Sequence, residues 1–256
     1  MRVTTDLIII LAIASLGDAR KHLRRLDPDP VPPRVIPAED ADYEELSAEF
    51  WRWLYGIDIG KGKNPKHPGV DAKGTLCNMD QPLDDVWIAI GAFTSEVAVN
   101  DYTNTIVREK CKIDYGKKLL IPIVNADCQT IGNEPFKLYL QGENENVETC
   151  ANNLFGGWAD VKDLSLTIDG VDLSDDLVFV STDLYTVDFA DNNLSGKDCD
   201  TLDCEDVYSV SAGWYALVDT LPKGEHVIHF TGTFYLTDSG ENIFALDVAY
   251  DPLIIR

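Results

Sequence analysis

The densest run of side chains able to do chemistry is Asp188, Asp191, Asn193, Ser195, Asp198, Asp200, Asp203, Glu205 and Asp206. Oxygens at Asp191, Asn193 and Ser195, followed by Gly196, repeat the first half of a Ca²⁺ loop, which takes ligands at positions 1, 3 and 5 and a glycine at 6 for the sharp turn. Position 12 of such a loop is a bidentate Glu, and here it is Leu202. Asp200 or Asp203 can complete an irregular cage instead, so calcium is the one cofactor this pattern suggests. The competing reading is a solvated acidic loop that holds no ion. Asn193-Leu194-Ser195 is also the one N-x-[ST] sequon of the chain, and a glycan on Asn193 would compete with its use as a metal ligand.

Other reactive residue types are sparse. The histidines are His22, His67, His226 and His229. His226 and His229 are three apart in an expected strand and so point to opposite faces, which denies them a shared metal. One should pack inward with its ring bonded and the other should face solvent. There is no G-x-S-x-G, H-E-x-x-H, Walker loop or G-x-G-x-x-G. Paired carboxylates for glycoside hydrolysis can be drawn from so many acids, but sequence gives none of the separations on which that mechanism depends.

Six cysteines, Cys77, Cys111, Cys128, Cys150, Cys199 and Cys204, fit an oxidising compartment better than a zinc site, because no C-x-x-C spacing occurs. Local pairing gives Cys77–Cys111, Cys128–Cys150 and Cys199–Cys204, among the fifteen connectivities that six cysteines allow. The last pair closes the acidic loop "CDTLDC".

The elements that must position these groups begin after a leader. "LIIILAIASL" (7–16) behind Arg2 has the length of a signal-peptide apolar core, too short for a membrane span, and Gly17-Asp18-Ala19 suits cleavage, so residues 1–19 read as a signal peptide. No other stretch is long enough to span a membrane. Residues 20–39, with "RKHLRR" and five prolines, read as a propeptide and linker. Arg24-Arg25-Leu26 resembles the R-x-L processing site of silica-associated diatom wall proteins, and a dibasic convertase site is the other reading. Residues 40–256 then form one domain. A helix over 40–55 is capped by Asp40 or Asp42, and Tyr43, Leu46, Phe50, Trp53 and Leu54 make its apolar stripe. Trp51 and Tyr55 lie on the shoulder of that stripe as a candidate ligand platform, so truncating Trp53 should cost more than truncating Trp51.

From Val86 the period changes to short β-branched and aromatic runs separated by Gly, Asn, Asp and Pro. Asp169-Gly170 between apolar runs marks a two-residue hairpin. The pattern predicts an antiparallel β-sandwich, immunoglobulin-like or jelly-roll-like, with the N-terminal helix and one short inserted helix or ordered loop at 142–155.

The net charge of −23 deepens on processing. Residues 1–26 carry five basic and two acidic side chains, and their removal leaves 16 against 42, a net −26. Such a surface repels phosphate backbones and anionic lipids, which argues against nucleic-acid binding and leaves cations, neutral glycans and basic proteins as partners.

Several motifs occur together and in order. They are "FWRWLYGI…NP" at 50–65, Cys77, "VWIAIG" at 86–91, Cys111, "GKKLLIPIVNADC" at 116–128, "LSLTIDGVDL" at 164–173, "GWYALVDTLPKGEHVIHFTGTF" at 213–234 and a closing "FALDVAY". Over residues 47–250 the chain resembles a family of secreted bacterial β-rich proteins that read "WWQWALSIP…NP…C", "GPVWFLAG", "C-x-VPAGKALFFP-x-N-x-x-C", "TVDGV" and "G-x-H-x-IHF-x-G". The resemblance implies export and one β-rich domain, and it brings no activity or catalytic residues. The acidic insertion at 191–206 and the Pro-rich leader depart from that pattern. The reading is a secreted, extracellular or wall-associated acidic β-sandwich acting as a binding or surface-structural module for a glycan, cation or basic protein. A carbohydrate-active hydrolase or lyase is the alternative.

Overall fold

In the computed structural model, the residues described are 31–60, 66–91, 105–131, 134–135, 150, 155–157, 159–195, 199–200 and 202–256. The chain divides into Met1–Val31 and Pro32–Arg256. The expected signal peptide and most of the expected helix or loop at 142–155 lie outside the described residues.

Among the described residues an α-helix, α1 (Tyr43–Gly56), precedes twelve strands. These are β1 (Val86–Ile88), β2 (Ile106–Val107), β3 (Lys112–Ile113), β4 (Lys118–Ile131), β5 (Glu134–Pro135) and β6 (Ala159–Ile168). They continue with β7 (Val171–Asp172), β8 (Val178–Ser181), β9 (Tyr185–Val187), β10 (Val207–Val218), β11 (Gly224–Leu236) and β12 (Asn242–Ile255). Asp42 caps α1 by accepting the Glu45 amide at 3.1 Å, and Glu44 and Glu45 stand at the positive end of the helix dipole.

The first sheet runs β1-β4-β10-β8, with β5 added to β4 and β9 to β10. The second runs β2-β12-β11-β6-β7, with β3 also on β12. The expected β-rich sandwich with an N-terminal helix is present, but its pairing is mixed. β1 runs parallel to β4, and β2 and β3 run parallel to β12. Each parallel pair is joined by a connection long enough to reverse the chain, which a tight hairpin cannot do. The Asp169-Gly170 hairpin forms as expected between β6 and β7, and both residues have positive φ, 52° and 80°, as a type I′ turn requires.

Two apolar interiors result. Between the sheets, Leu119, Ile121, Ile123, Val210, Ala212 and Ala216 meet Leu166, Ile168, Ile228, Phe230, Val248 and Tyr250. The sheets approach so closely that a Cβ on Gly232 of β11 would lie 2.3 Å from Val124 Cγ2 of β4. On the outer face of the first sheet, α1 buries Tyr43, Phe50, Trp51, Trp53 and Leu54 against Ile88, Leu120, Val180, Val187, Tyr215 and Leu217.

The domain starts earlier than Asp40. Val35 bridges Val218 of β10, the Ile36 amide donates to Leu217 O at 2.7 Å, and Arg34 pairs with Asp219 at 2.6 Å. The Tyr43 hydroxyl donates to Ile36 O at 2.6 Å and accepts the Leu217 amide at 3.0 Å, so α1 clamps this segment to the sheet edge. The prolines that mark 20–39 as a linker do not prevent these contacts, because a single bridge needs no regular element.

Burial of Trp51 corrects the expected shoulder position. Trp51 is 6% exposed and Trp53 5%, since the helix is covered by β8, β9 and β10 over more of its circumference than a single stripe. Trp51→Ala and Trp53→Ala should therefore destabilise to similar degrees, each by about 3–5 kcal/mol as buried aromatics do. Denaturant melts of the two variants check this. A near-neutral Trp51→Ala would mean that its ring does not pack as described.

Candidate functional site

The polar groups that the fold gathers most tightly lie under α1, and a β-bulge puts them there. Trp214 pairs with Val124 but Tyr215 pairs with Pro122, leaving Ile123 as an extra residue on β4. Pro122 has no amide to give the ladder, which suits it to a bulge. Ile123 and Val124 both face the sandwich interior, and the alternation resumes shifted by one. Cys128 then faces the sandwich, and Asp127 and Gln129 face α1.

Asp127 is 8% exposed and is the carboxylate at the centre of this layer. Tyr185 donates its hydroxyl to Oδ1 at 2.6 Å, Ser209 donates to Oδ2 at 3.1 Å, and Gln129 Nε2 donates to Oδ2. Nearby, Ser47 of α1 links Ser211 at 2.9 Å and Tyr215 at 2.8 Å, both on β10. The Trp51 indole N–H faces the Tyr215 hydroxyl without reaching good hydrogen-bond geometry. Arg52 covers one side: it sits 5.5 Å over the Tyr185 ring, donates to Thr186 O at 3.1 Å and pairs with Glu45 and Glu49.

The electrostatics keep these groups in fixed protonation states. Burial, then the charge of Asp127, pushes the Tyr55 phenol well above its ordinary value. The same two causes, with the hydrogen bond to Asp127, act on Tyr185. Burial also raises Tyr215. The phenols therefore stay neutral, and the Tyr185 hydroxyl remains a donor to the carboxylate. These donors tie the Asp127 carboxylate of β4 to β9 and β10 within the sheet, while Ser47 ties α1 to β10.

The structure distributes the residues singled out from the sequence differently. Trp51 and Tyr55 do not form an open platform. Their rings stack at 5.3 Å, and Tyr55 stacks on Phe189 at 4.7 Å, so the faces a sugar would need are covered by other rings. Asp191, Ser195, Asp200 and Asp203 are exposed, whereas Asn193 is 1% exposed. Asn193 Nδ2 donates to Ala190 O at 2.9 Å, and its Oδ1 accepts from Ser195 at 2.6 Å. The residue thus serves the loop's own bonding; it presents neither a ligand oxygen to an ion nor an amide to a glycan. Asp203 accepts the Glu205 amide at 3.3 Å. Among the described residues no three His, Cys, Asp or Glu side chains converge as a metal would need, so the expected cage from Asp191, Asn193, Ser195, Asp200 and Asp203 is not assembled.

Cys128–Cys150 and Cys199–Cys204 are disulfides, as expected. Cys77 and Cys111 carry free thiols, so the third expected pair is not closed in this structure. His226 is 6% exposed, with Asp169 at 2.7 Å on Nδ1 and Pro222 O at 2.8 Å on Nε2. His229 is half-exposed and pairs with Asp247 at 2.8 Å, so the opposite-face reading of the two histidines holds. His67 is 0% exposed: its Nε2 donates to Leu54 O at 2.9 Å and its Nδ1 accepts the Gly69 amide at 2.8 Å.

Sequence reasoning missed Asp127, Tyr185 and Ser209. The available signal was the alternation Asp127-Cys128-Gln129 at the end of an apolar run, but only the bulge decides which face those residues take. No family model, curated protein or solved structure matches the chain.

Tyr185→Phe removes one donor from a buried carboxylate and should cost about 1.5–3 kcal/mol, while Asp127→Ala orphans the donors around it at about 1–3 kcal/mol each. Chemical denaturation of the two variants checks the ranking Asp127→Ala above Tyr185→Phe, and the reverse order would show that Asp127 is not the hub. A second prediction concerns acid. Burial holds the His67 imidazole below its ordinary range, and nearby Arg108 adds to this against the hydrogen bond to Leu54. The unfolded chain therefore binds a proton that the folded chain refuses, and stability contributed by neutral His67 is lost as pH falls below about 6.5 toward the lowered folded value. His67→Asn keeps an acceptor for the Gly69 amide and removes the titration. Its melting temperature should fall less steeply between pH 7 and 5 than that of the parent, and parallel profiles would refute this.

Proposed function

We propose that the protein is a secreted, disulfide-stapled acidic β-sandwich that serves as an extracellular binding or surface-structural module, and that its partner is cationic. The observation that carries this reading is where the acids are. The buried carboxylate Asp127 is bonded within the sheet by Tyr185, Ser209 and Gln129, whereas Asp175, Asp176, Asp191, Asp200, Asp203, Glu205, Asp206, Asp238 and Glu241 all face solvent. Forty-four acidic side chains against 21 basic ones give a surface whose field concentrates cations and basic proteins.

Two disulfides support folding in an oxidising compartment, in keeping with a leader that reads as a signal peptide. Among the described residues no helix is long and apolar enough to cross a membrane. Membership of the secreted bacterial family that the sequence resembles would bring the same export and single β-rich domain. A glycan ligand is less well supported than a cationic one, because the Trp51 and Tyr55 rings are packed against Phe50, Phe189 and each other.

Binding of the chain from Asp27 to immobilised poly-lysine, beside an array of neutral glycans, tests the reading. Poly-lysine should be bound at low ionic strength, with affinity falling steeply as NaCl rises past the range where the Debye length drops to about 10 Å. Ca²⁺ and Mg²⁺ at equal ionic strength should shift the melting temperature alike. Absence of polycation binding in low salt, or turnover of a polysaccharide, would sink the proposal.

A further inference from the structure

Behind the 71–79 turn, two thiols and a guanidinium share a dry corner of the sandwich. Cys77 is 3% exposed, Cys111 0% and Arg108 0%. Asn78, next to Cys77, donates its side-chain amide to the carbonyl of Lys112, next to Cys111, and both thiols belong to one buried cluster. Cys111 Sγ lies 3.4 Å from Gly74 O, and a Cβ on Gly74 would stand 2.7 Å from that sulfur and 3.2 Å from Arg108 Cβ.

Arg108 is the unusual member. Its Nη2 donates to Pro68 O at 2.8 Å and to Gly91 O at 2.9 Å, its guanidinium sits 5.7 Å over the Tyr250 ring, and its Nε and Nη1 have no hydrogen-bond partner. Neutral carbonyls and a ring do not balance a buried positive charge, which is strongly unfavourable without a counter-ion. Among the described residues no ion pair closes on Arg108. Asp71 accepts from the Lys73 amide, the Thr75 hydroxyl and the Leu76 amide of its own turn, and its charge acts on both thiols against that of Arg108. His67 is bonded as a neutral ring, and burial raises the Tyr250 phenol. At Cys77 the contact with Cys111, the Lys112 backbone and Arg108 hold the thiol below the ordinary range against burial and the charge of Asp71, while the same contact and burial push Cys111 far up.

We propose that Cys77 and Cys111 are a redox-active dithiol, with Cys77 the nucleophile, Cys111 the resolving thiol and Arg108 the charge that favours the reduced form. The oxidant is a small-molecule disulfide of the glutathione class. The Cys77 thiolate attacks one of its sulfurs, forming a mixed disulfide and releasing one thiolate. Cys111 gives up its proton to that thiolate and attacks Cys77 Sγ, closing the Cys77–Cys111 bond and releasing the second thiolate. The two protein sulfurs lose two electrons and the reagent gains them. Closing the bond erases the negative charge that faces Arg108, so this disulfide is less stable against reduction than one without such a neighbour, as in oxidants whose reduced form is stabilised. Burial slows access, so the equilibrium, rather than the rate, carries the signature. The inference stands independently of the cationic-partner reading.

The test equilibrates the full chain with graded ratios of reduced to oxidised glutathione, quenches with an alkylating agent and reads each cysteine pair by peptide mass spectrometry. Cys77–Cys111 should close in excess oxidised glutathione and reopen at a ratio about tenfold less reducing than Cys128–Cys150 or Cys199–Cys204. Arg108→Met should move that midpoint toward more reducing ratios, and Arg108→Lys, which keeps the charge, should stay near the parent, with circular dichroism confirming the fold of each. A pair that never closes, that opens last, or that ignores Arg108→Met in a folded variant overturns the proposal. If Arg108→Met does not fold, the order in which the parent's pairs open decides alone.

Discussion

The fold depends on a strand that is buried on both faces. β10 sends Val210, Ala212, Ala216 and Val218 into the space between the sheets, and Val207, Ser209, Ser211, Tyr215 and Leu217 toward α1 and the polar layer beneath it. A strand of this kind has no solvated side, so it is ordered only when the helix layer and the second sheet are both in place. Its pairing with β4 leaves no slack: at Gly213 a Cβ would stand 2.4 Å from Asn125 Cβ and 2.6 Å from Val124 O. Register along this pair therefore fixes both interiors at once, because a slip of one residue would exchange the apolar and polar sets.

How much of this was legible in the sequence follows from which signals are local. The α1 cap at Asp42, the Asp169-Gly170 hairpin and the β-rich second half depend on neighbours within a few residues, and they appear as read. Cys199–Cys204 is also local. The misread positions depend on partners far along the chain. Trp51 looks peripheral on a helical wheel, and only β8, β9, β10 and Phe189, brought from elsewhere in the chain, cover that side of α1. Strict alternation would carry Asp127 onto the same face as Leu119 and Ile121, inside the sandwich. The extra residue at Ile123 turns it to the other side. Asn193 matched both a sequon and a metal-loop pattern, and both matches consider side-chain type without asking whether the side chain is turned inward.

The layer around Asp127 also bears on specificity. An apolar seam between α1 and the sheet would tolerate sliding of the helix by a turn. Tyr43 to the Leu217 amide, and Ser47 to Ser211 and Tyr215, join two successive turns of α1 to named positions on β10, above the Asp127 carboxylate held by Gln129, Tyr185 and Ser209. Hydrogen bonds to a buried carboxylate are strong because the surroundings are poorly polarisable, and each is costly to lose for the same reason. One placement of the helix satisfies them. That placement covers the aromatic faces which, exposed, would have made a sugar platform, so the constraint that orders the helix also withdraws Trp51 and Tyr55 from ligand contact.

Two buried charged side chains among the described residues are handled in opposite ways. Asp127 is surrounded by hydroxyl and amide donors whose bonding does not depend on redox chemistry. Arg108 is a cation whose partners in the corner are carbonyls and an aromatic ring, and the group able to match it is a sulfur whose charge exists only in the reduced state. The first arrangement stabilises one structure. The second ties the electrostatic balance of a core corner to the oxidation state of Cys77, so the same carbonyls that anchor Arg108 to residues 68 and 91 hold it where a change in sulfur chemistry is felt by the turn, by β3 through Lys112 and by the end of β12 through Ile254, whose amide donates to Cys111 O at 3.1 Å.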